Sequence, residues 1–179
     1  HLNARPTYRA LYVNIEAAQA ARGNVAEGMA ATVRALASAA SVHWGDEAAS
    51  QVATQMLQTT GPTDWVRGVL EQWARNSPRP IVLLLDEVDA LVGDTLISLL
   101  RQIRAGYAQR PGAFPQTIIL CGVRDVRDYR IHTAHHEIIT GGSAFNIKAE
   151  SLRLGNLSRE ETVDLWQQHT SDSGQIFDE

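Results

Sequence analysis

The stretch PIVLLLDEVDAL, residues 80–91, decides the fold. Pro80 opens it, five apolar residues follow without interruption, and two acids, Asp86 and Glu87, come directly after them. An apolar run with no polar alternation is typical of a strand that a parallel sheet buries on both faces. Because open α/β sheets bind ligands beyond the carboxyl ends of their strands, the two acids lie where a binding site is expected.

Two adjacent carboxylates at the end of a buried strand repel each other unless a positive charge lies close to them. Mg²⁺ bound together with nucleotide phosphates supplies such a charge, and it prefers oxygen ligands while it keeps several of its waters. One carboxylate then holds the ion directly or through water, and its neighbour can deprotonate an attacking water. The alternative interpretation is a strand that ends in solvent, where both acids are simply hydrated.

Strand and helix patterns alternate along the chain, which predicts an α/β fold with a parallel sheet. The residue patterns predict strands at 9–15, 81–85, 116–122 and 152–154. Apolar residues at helical spacing predict helices at 17–40 with a break at Gly23–Asn24, at 46–57, between GPTD (61–64, with Thr63 or Asp64 as the cap) and NSPRP (76–80), from Gly93 onwards, and after Ser158. Residues 133–145 are predicted to be a loop.

Composition restricts the classes of protein to which the chain can belong. Its 179 residues carry 16 Lys plus Arg and 20 Asp plus Glu, a net charge of −4, which does not indicate a nucleic-acid or membrane surface. Cys121 is the single cysteine, so an internal disulfide is excluded and a reducing compartment is indicated. Without a membrane-length apolar run or a signal pattern, the chain is predicted to be cytoplasmic.

The string DEVDAL after five apolar residues resembles the Walker B strand of the AAA+ and STAND-like P-loop ATPases. LYVNIE at 11–16 resembles the strand that precedes Walker B, and TIILCGVRDVRDYR at 117–130 resembles the following strand, which carries the sensor-1 position. Residues 141–161 are similar to a segment of bacterial AAA-like ATPases, and 173–179 look like the approach to a helical lid. The resemblance covers nearly the whole chain and implies a three-layer αβα fold of the P-loop NTPase type.

The same resemblance implies how the chain is organised. Residues 1–170 would be the core of an AAA-like domain, and 171–179 would begin the connection to a lid. The phosphate-binding pattern G-x-x-x-x-G-K-[ST] does not occur, and the only lysine, Lys148, follows no glycine-rich turn. In this family the P-loop strand and helix lie just upstream of the strand at 11–16. We therefore expect the chain to be a piece of a longer protein from which the P-loop has been cut off.

This expectation has consequences for the isolated chain. In the family the P-loop strand lies between the sensor strand and the last strand, so without it the sheet is incomplete and two buried edges lack partners. Unpaired edges recruit other chains, so self-association with another copy is expected. The alternatives are that the isolated chain rearranges its last strand or is poorly ordered after about residue 130. ATP and Mg²⁺ are expected as cofactors of the intact protein, and neither is expected to bind the isolated chain, which should be inactive.

The resemblance also implies roles for individual residues. Asp86 matches the residue that holds the magnesium shell, through water, and Glu87 matches the general base. Asn14 matches a polar residue that hydrogen-bonds and restrains the catalytic glutamate; an Asn facing water at a strand end is the alternative. Arg124 and Asp125 lie at the end of the sensor strand, where the family contacts the γ-phosphate or the lytic water.

Other residues at the same end of the chain are weaker candidates. Arg127 and Arg130 are either arginine fingers towards a neighbouring subunit or ordinary surface residues, and the latter is favoured. A zinc site is disfavoured because its candidate ligands follow no known spacing in what reads as a loop; they are His132, His135, His136 and Glu137. Cys121 lies in an apolar strand and is interpreted as a small packed side chain rather than a nucleophile.

Three functions remain open from the sequence. The first is an AAA-like ATPase module that hydrolyses ATP in the intact protein and drives a conformational or assembly switch on an unidentified protein partner. The second is a non-hydrolysing scaffold or signalling module that binds nucleotide or protein. The third, a nucleic-acid-associated ATPase, is supported by the excess of Arg over Lys and disfavoured by the net negative charge. No membrane partner is expected.

Overall fold

A computed structural model describes residues 2–4, 6–123, 131–132, 138–139 and 152–176. The chain divides into two compact units, His1–Lys148 and Ala149–Glu179. The first unit contains a parallel sheet of three strands, β1 (Arg9–Asn14), β2 (Ile81–Asp86) and β3 (Thr117–Leu120), in the order β1-β2-β3. The prediction of an α/β fold with a parallel sheet is confirmed.

Four α-helices and several short helical turns connect the strands. They are a 3₁₀ turn at Leu2–Ala4, a 3₁₀ helix at Glu16–Ala21, α1 (Val25–Ala39), a π-helical turn at Ala40–Trp44, α2 (Glu47–Thr59), α3 (Trp65–Asn76), 3₁₀ turns at Val88–Ala90 and Tyr107–Gln109, and α4 (Asp94–Gly106). The side chains of Asn24 and Asp46 accept hydrogen bonds from first-turn N–H groups of α1 and α2, at 3.2 and 2.9 Å. The predicted break before α1 and the predicted start of α2 are confirmed.

The cap of α3 is not the predicted one. Asp64 occupies the N-cap position, but its carboxylate binds the guanidinium of Arg67 and caps no N–H group. The buried side chain of Gln102, from the middle of α4, supplies the missing acceptor: its Oε1 accepts from the N–H groups of Val66 and Arg67, at 2.9 and 3.2 Å. Its amide nitrogen donates to the carbonyl of Pro62 at 3.0 Å. Competition from an adjacent cation thus frees Asp64 from the cap, and a distant glutamine replaces it.

The core lies on one face of the sheet. Leu11 and Val13 of β1 and Leu83 and Leu85 of β2 are buried in one hydrophobic cluster, to which all four helices α1–α4 contribute. The opposite face carries the alternate residues of the strands, because successive side chains of a strand point to opposite faces.

That opposite face is only partly covered. Tyr12, Leu84 and Ile119 are register neighbours on it, Leu84 is half-buried, and Tyr12 and Ile119 are 49% and 42% exposed. Burial of β3 on both faces, which its apolar sequence suggested, is therefore not observed. Within the described residues β3 has a strand neighbour on one side only, and an edge strand keeps less of its surface from water.

A short antiparallel ladder joins β4 (Ile131–His132) to β5 (Ile138–Ile139). The prediction of a loop over 133–145 is wrong at β5, because its two β-branched residues pair with strand partners six and eight positions earlier. No helix among the described residues is long and apolar enough to span a membrane.

The second unit is described for residues 152–176. Its helix α5 (Arg159–Ser173) begins with the predicted capping box, in which the Ser158 hydroxyl accepts from the N–H of Glu161 and the Glu161 carboxylate accepts from the N–H of Ser158. The predicted strand at 152–154 is wrong: Leu152 and Leu154 lie in irregular backbone and are 80% and 93% exposed. Three residues form a strand only beside a hydrogen-bonding neighbour, and no described residue provides one.

Candidate functional site

The carboxyl ends of the three strands meet at one edge of the sheet. Asn14 and Asp86, the last residues of β1 and β2, are register partners, and the N–H of Ile15 donates to the Asp86 carbonyl at 3.1 Å. Cys121 follows β3, and its N–H donates to the carbonyl of Leu85 at 2.8 Å. The parallel register therefore brings the predicted residues Asn14, Asp86 and Glu87 to the same edge, where ligands of open α/β sheets bind.

Both carboxylate oxygens of Asp86 accept hydrogen bonds. The Tyr12 hydroxyl donates to Oδ2 at 2.6 Å, and the N–H of Glu87 donates to Oδ1 at 3.0 Å. The first distance is that of a charge-assisted hydrogen bond between a hydroxyl and a carboxylate. The hydrogen bond to Asp86 is also the main reason why the pKa of Tyr12 is raised above its ordinary value of 10.0. At neutral pH Tyr12 is therefore a protonated donor, and Asp86 is held in a defined orientation.

Glu87 has a strained backbone, and its side chain has no polar partner among the described residues. Its φ of 58° and ψ of 41° lie in the left-handed region, which non-glycine residues rarely adopt. The 3₁₀ turn at Val88–Ala90 follows at once and is tied to the sheet, since the N–H of Val88 donates to the Cys121 carbonyl at 3.0 Å. Within the described part of the chain the Glu87 carboxylate makes no hydrogen bond or ion pair, and it remains available as an acceptor.

Asn14 does not contact Glu87 in this structure. Its Oδ1 accepts from the N–H of Glu16 at 2.8 Å, an Asx turn that ends β1. Restraint of Glu87 by Asn14, which would use the amide nitrogen of Asn14 as donor, therefore stays a prediction.

Several predicted residues lie outside the described ones. They are Arg124 and Asp125 at the end of the sensor strand, Arg127 and Arg130, and the His135, His136 and Glu137 part of the histidine cluster; of His132 only the backbone is described. Among the residues that the structure does describe, no three His, Cys, Asp or Glu side chains are grouped so as to hold a metal ion. A cation at the strand ends would accordingly take few of its ligands from this part of the chain, with Asp86 as the oriented one.

Asp89 is a feature that the sequence reading left without a role. Its Oδ1 is buried and has no hydrogen-bond partner among the described residues. It lies against Gly122, where an added Cβ would come within 2.7 Å of that oxygen. A glycine is therefore needed after Cys121 for the turn carrying Asp89 to lie against the end of β3.

The Cys121 thiol is half-buried. Burial is the main reason why its pKa is raised above 9.0, and the negative charge of Asp86 is a further reason. The thiol is thus protonated at neutral pH. A raised pKa is the opposite of what a nucleophilic cysteine requires, in agreement with the interpretation of Cys121 as a packing residue.

A cavity of about 560 Å³ lies away from this edge, between the start of α3 and one side of α4. Its polar lining includes Asp64, Arg67, Asp94 and Arg101. None of the predicted site residues lines it. We place the candidate site at the strand ends because, in the described part of the chain, they combine an oriented carboxylate with a neighbouring one that has no hydrogen-bond or ion-pair partner there.

Tyr12 is the functional candidate that sequence reasoning missed. Strand alternation places it on the face opposite Leu11 and Val13, but its proximity to Asp86 depends on the register between β1 and β2. That register is a property of the folded sheet and has no local sequence signal.

Comparisons of the chain with protein-family models, with curated proteins and with solved structures gave no match.

Proposed function

We propose that Asp86 and Glu87 are the magnesium-holding and water-activating half of an ATPase centre of the AAA-like P-loop type. In the intact protein this centre binds and hydrolyses ATP and drives a conformational or assembly switch. The proposal rests chiefly on one observation: a buried central strand ends in a carboxylate fixed by two hydrogen bonds, and the carboxylate that follows it has no polar partner among the residues the structure describes.

The strand order supports the proposal. The resemblance to AAA-like ATPases gives only the order along the sequence, in which the strand before Walker B, the Walker B strand and the sensor strand follow one another. In the sheet the corresponding strands β1, β2 and β3 are adjacent and parallel in that order. The outer edge of β3, which has no described neighbour, is where a P-loop strand would pair in a complete three-layer αβα domain of this type.

The donor chemistry also fits the proposal. Each oxygen of a carboxylate accepts about two hydrogen bonds, and each Asp86 oxygen already accepts one from the protein. The remaining lone pairs of Asp86 can accept hydrogen bonds from water molecules around a cation. When Mg²⁺ is bound with ATP, it would supply the positive charge that neutralises the phosphates and the two acids.

Glu87 would then act on water. Its carboxylate, free of protein partners in the described residues, would accept a hydrogen bond from the attacking water and take its proton as the water oxygen bonds to the γ-phosphorus. The bond between that phosphorus and the bridging oxygen would break in the same displacement, with ADP as the leaving group. Arg124 or Asp125, at the end of the strand next to Walker B, would contact the γ-phosphate or this water. The phosphate cradle itself must come from outside these 179 residues, because the chain contains no P-loop pattern.

The proposal is tested in the complete gene product with Glu87→Gln, which keeps the size of the side chain and removes its basicity. We expect hydrolysis to fall by about 10²–10⁴-fold, the usual contribution of a general base, while binding of a fluorescent ATP analogue persists. Glu16→Gln, at an exposed acid near the end of β1, is the matched control and should hydrolyse ATP normally. Turnover by Glu87→Gln equal to that of the control would rule out Glu87 as the base.

A scaffold without hydrolysis is the second candidate. Two observations favour it: the described residues contain no phosphate cradle, and the half-exposed face of the sheet at Tyr12 and Ile119 offers apolar surface for a protein partner or a second copy. The gene sequence upstream of His1 separates the two candidates. An intact GKT or GKS motif there supports the ATPase, and a degenerate loop supports the scaffold.

A further inference from the structure

We propose that Tyr12 is a positioning residue for Asp86: its hydroxyl holds the carboxylate in the orientation in which Asp86 accepts hydrogen bonds from magnesium-bound water. This inference rests on the function proposed above and adds a residue to that site. It concerns a contact between two strands and does not involve the side chain of Glu87.

The parallel register creates the contact. Tyr12 is paired with Leu84, and Asp86 lies two residues further along β2, so both side chains stand on the same face of the sheet. Diagonal neighbours of this kind are separated by about 7–8 Å, a gap that an aromatic side chain can bridge. The ring of Tyr12 therefore spans from its own strand to the end of the next one, and its hydroxyl reaches Oδ2 of Asp86 at 2.6 Å.

Two donors on different elements then fix the plane of the carboxylate. Tyr12 approaches from β1, and the N–H of Glu87 approaches from the turn after β2. An aspartate held by one donor can still rotate about its terminal torsion, since that torsion is broad and roughly two-fold. With both donors in place, the free lone pairs point in fixed directions, which is the condition for a precise site.

The hydroxyl contributes little to the core. The Tyr12 ring is half-exposed and lies outside the hydrophobic cluster that joins the sheet to α1–α4. Tyr12→Phe keeps the ring and removes only the donor. It therefore tests orientation of Asp86 while leaving the packing of β1 in place.

The first experiment examines the contact without any nucleotide. In the nucleotide-free complete gene product with ¹³C at tyrosine Cζ, NMR reports the hydrogen bonding of each hydroxyl, and Tyr12→Phe assigns the Tyr12 signal by removing it. We expect Asp86→Asn to move that signal, because a neutral amide is a weaker acceptor than a carboxylate. Asp94→Asn, at the start of α4, is the matched control and should leave it in place. A Tyr12 signal that Asp86→Asn does not move overturns the inference.

The second experiment measures the Mg²⁺ dependence of ATP hydrolysis in the complete gene product. We expect Tyr12→Phe to raise the Mg²⁺ concentration for half-maximal rate about tenfold, the typical effect of losing one charge-assisted hydrogen bond, with kcat at saturating Mg²⁺ close to wild type. Tyr8→Phe, just before the other end of β1, removes a hydroxyl from the same strand region and should change neither value. An unchanged or lower Mg²⁺ requirement in Tyr12→Phe overturns the inference.

Failure of this inference can be distinguished from failure of the proposed function. If Glu87→Gln is inactive and Tyr12→Phe has the Mg²⁺ dependence of wild type, only the role of Tyr12 is refuted. If Glu87→Gln hydrolyses ATP like the control, the role of Glu87 as the base is refuted, and the role of Tyr12 is decided separately by the NMR signal and by the Mg²⁺ dependence of Tyr12→Phe.

Discussion

Replacing Glu87 by glycine should stabilise the protein relative to replacing it by alanine. At φ 58° a residue with a Cβ is strained by about 1–2 kcal/mol, whereas glycine adopts this conformation freely. Glycine in turn makes the unfolded chain more flexible, which at an ordinary position costs about 0.5–1 kcal/mol relative to alanine. The difference leaves Glu87→Gly more stable than Glu87→Ala by about 0.5–1 kcal/mol. Because both variants lack the carboxylate, its removal cancels in the comparison.

The assay is urea unfolding of the two variants, followed by circular dichroism, with thermal unfolding alongside. For a domain of this size, a difference of 1 kcal/mol corresponds to about 2–4 °C in Tm. Gln51 provides the control, since it is an exposed residue within α2. There Gln51→Gly should be less stable than Gln51→Ala by about 1 kcal/mol, the opposite sign. If Glu87→Gly is also the less stable of its pair, the left-handed conformation of Glu87 is refuted.

Two further predictions concern stability. Gln102→Leu should lower the free energy of unfolding in urea by about 2–4 kcal/mol, because it leaves the buried N–H of Val66 and its neighbour without an acceptor. Gln109→Leu, at an exposed site, is the control and should cost under about 0.5 kcal/mol. Equal effects of the two substitutions would contradict the cap. The pKa of Asp46 is lowered, mainly by a hydrogen bond from a backbone N–H of α2 and then by Arg9. The charged form of Asp46 therefore stabilises the fold at pH values above its unfolded pKa of about 4. This contribution is lost as the pH falls through the lower pKa of the folded state. Asp46→Asn should therefore be less stable than wild type by about 1 kcal/mol at pH 7 and equally stable in strong acid, and a difference in stability that does not shrink in acid would contradict the ion pair.

Sequence patterns predicted the elements whose signals are local. The apolar run at 81–85 lies in β2, β3 occupies residues 117–120 of the run at 116–122, and Asp46 and Ser158 cap the helices that follow them. A cap works through a hydrogen bond two or three residues away, so a short stretch of sequence is enough to recognise it. The placement of Asp86 and Glu87 at a sheet edge follows from the same local pattern.

What could not be predicted depends on tertiary contacts. The exposure of Ile119 depends on what lies beside β3, because an apolar strand has the same sequence pattern at the centre of a sheet and at its edge. Leu152 and Leu154 have the alternating pattern of a strand, but a strand forms only where a neighbouring strand provides its backbone hydrogen bonds. The partner of Asp86 is found in another strand, so the acid pair was predicted and its hydrogen bond to Tyr12 was not.

Because a glutamine of α4 caps α3, the sequence of α3 does not contain the acceptor for its own first-turn N–H groups. The acceptor for its first-turn N–H groups lies 36 residues after Val66 in the sequence, and β2 comes between the two positions along the chain. A segment containing α3 alone, transferred to another protein, would keep its apolar face but would lack the acceptor that caps its first turn. The two helices α3 and α4 therefore form one structural unit, and a substitution at the contact in either helix has to be compatible with the other.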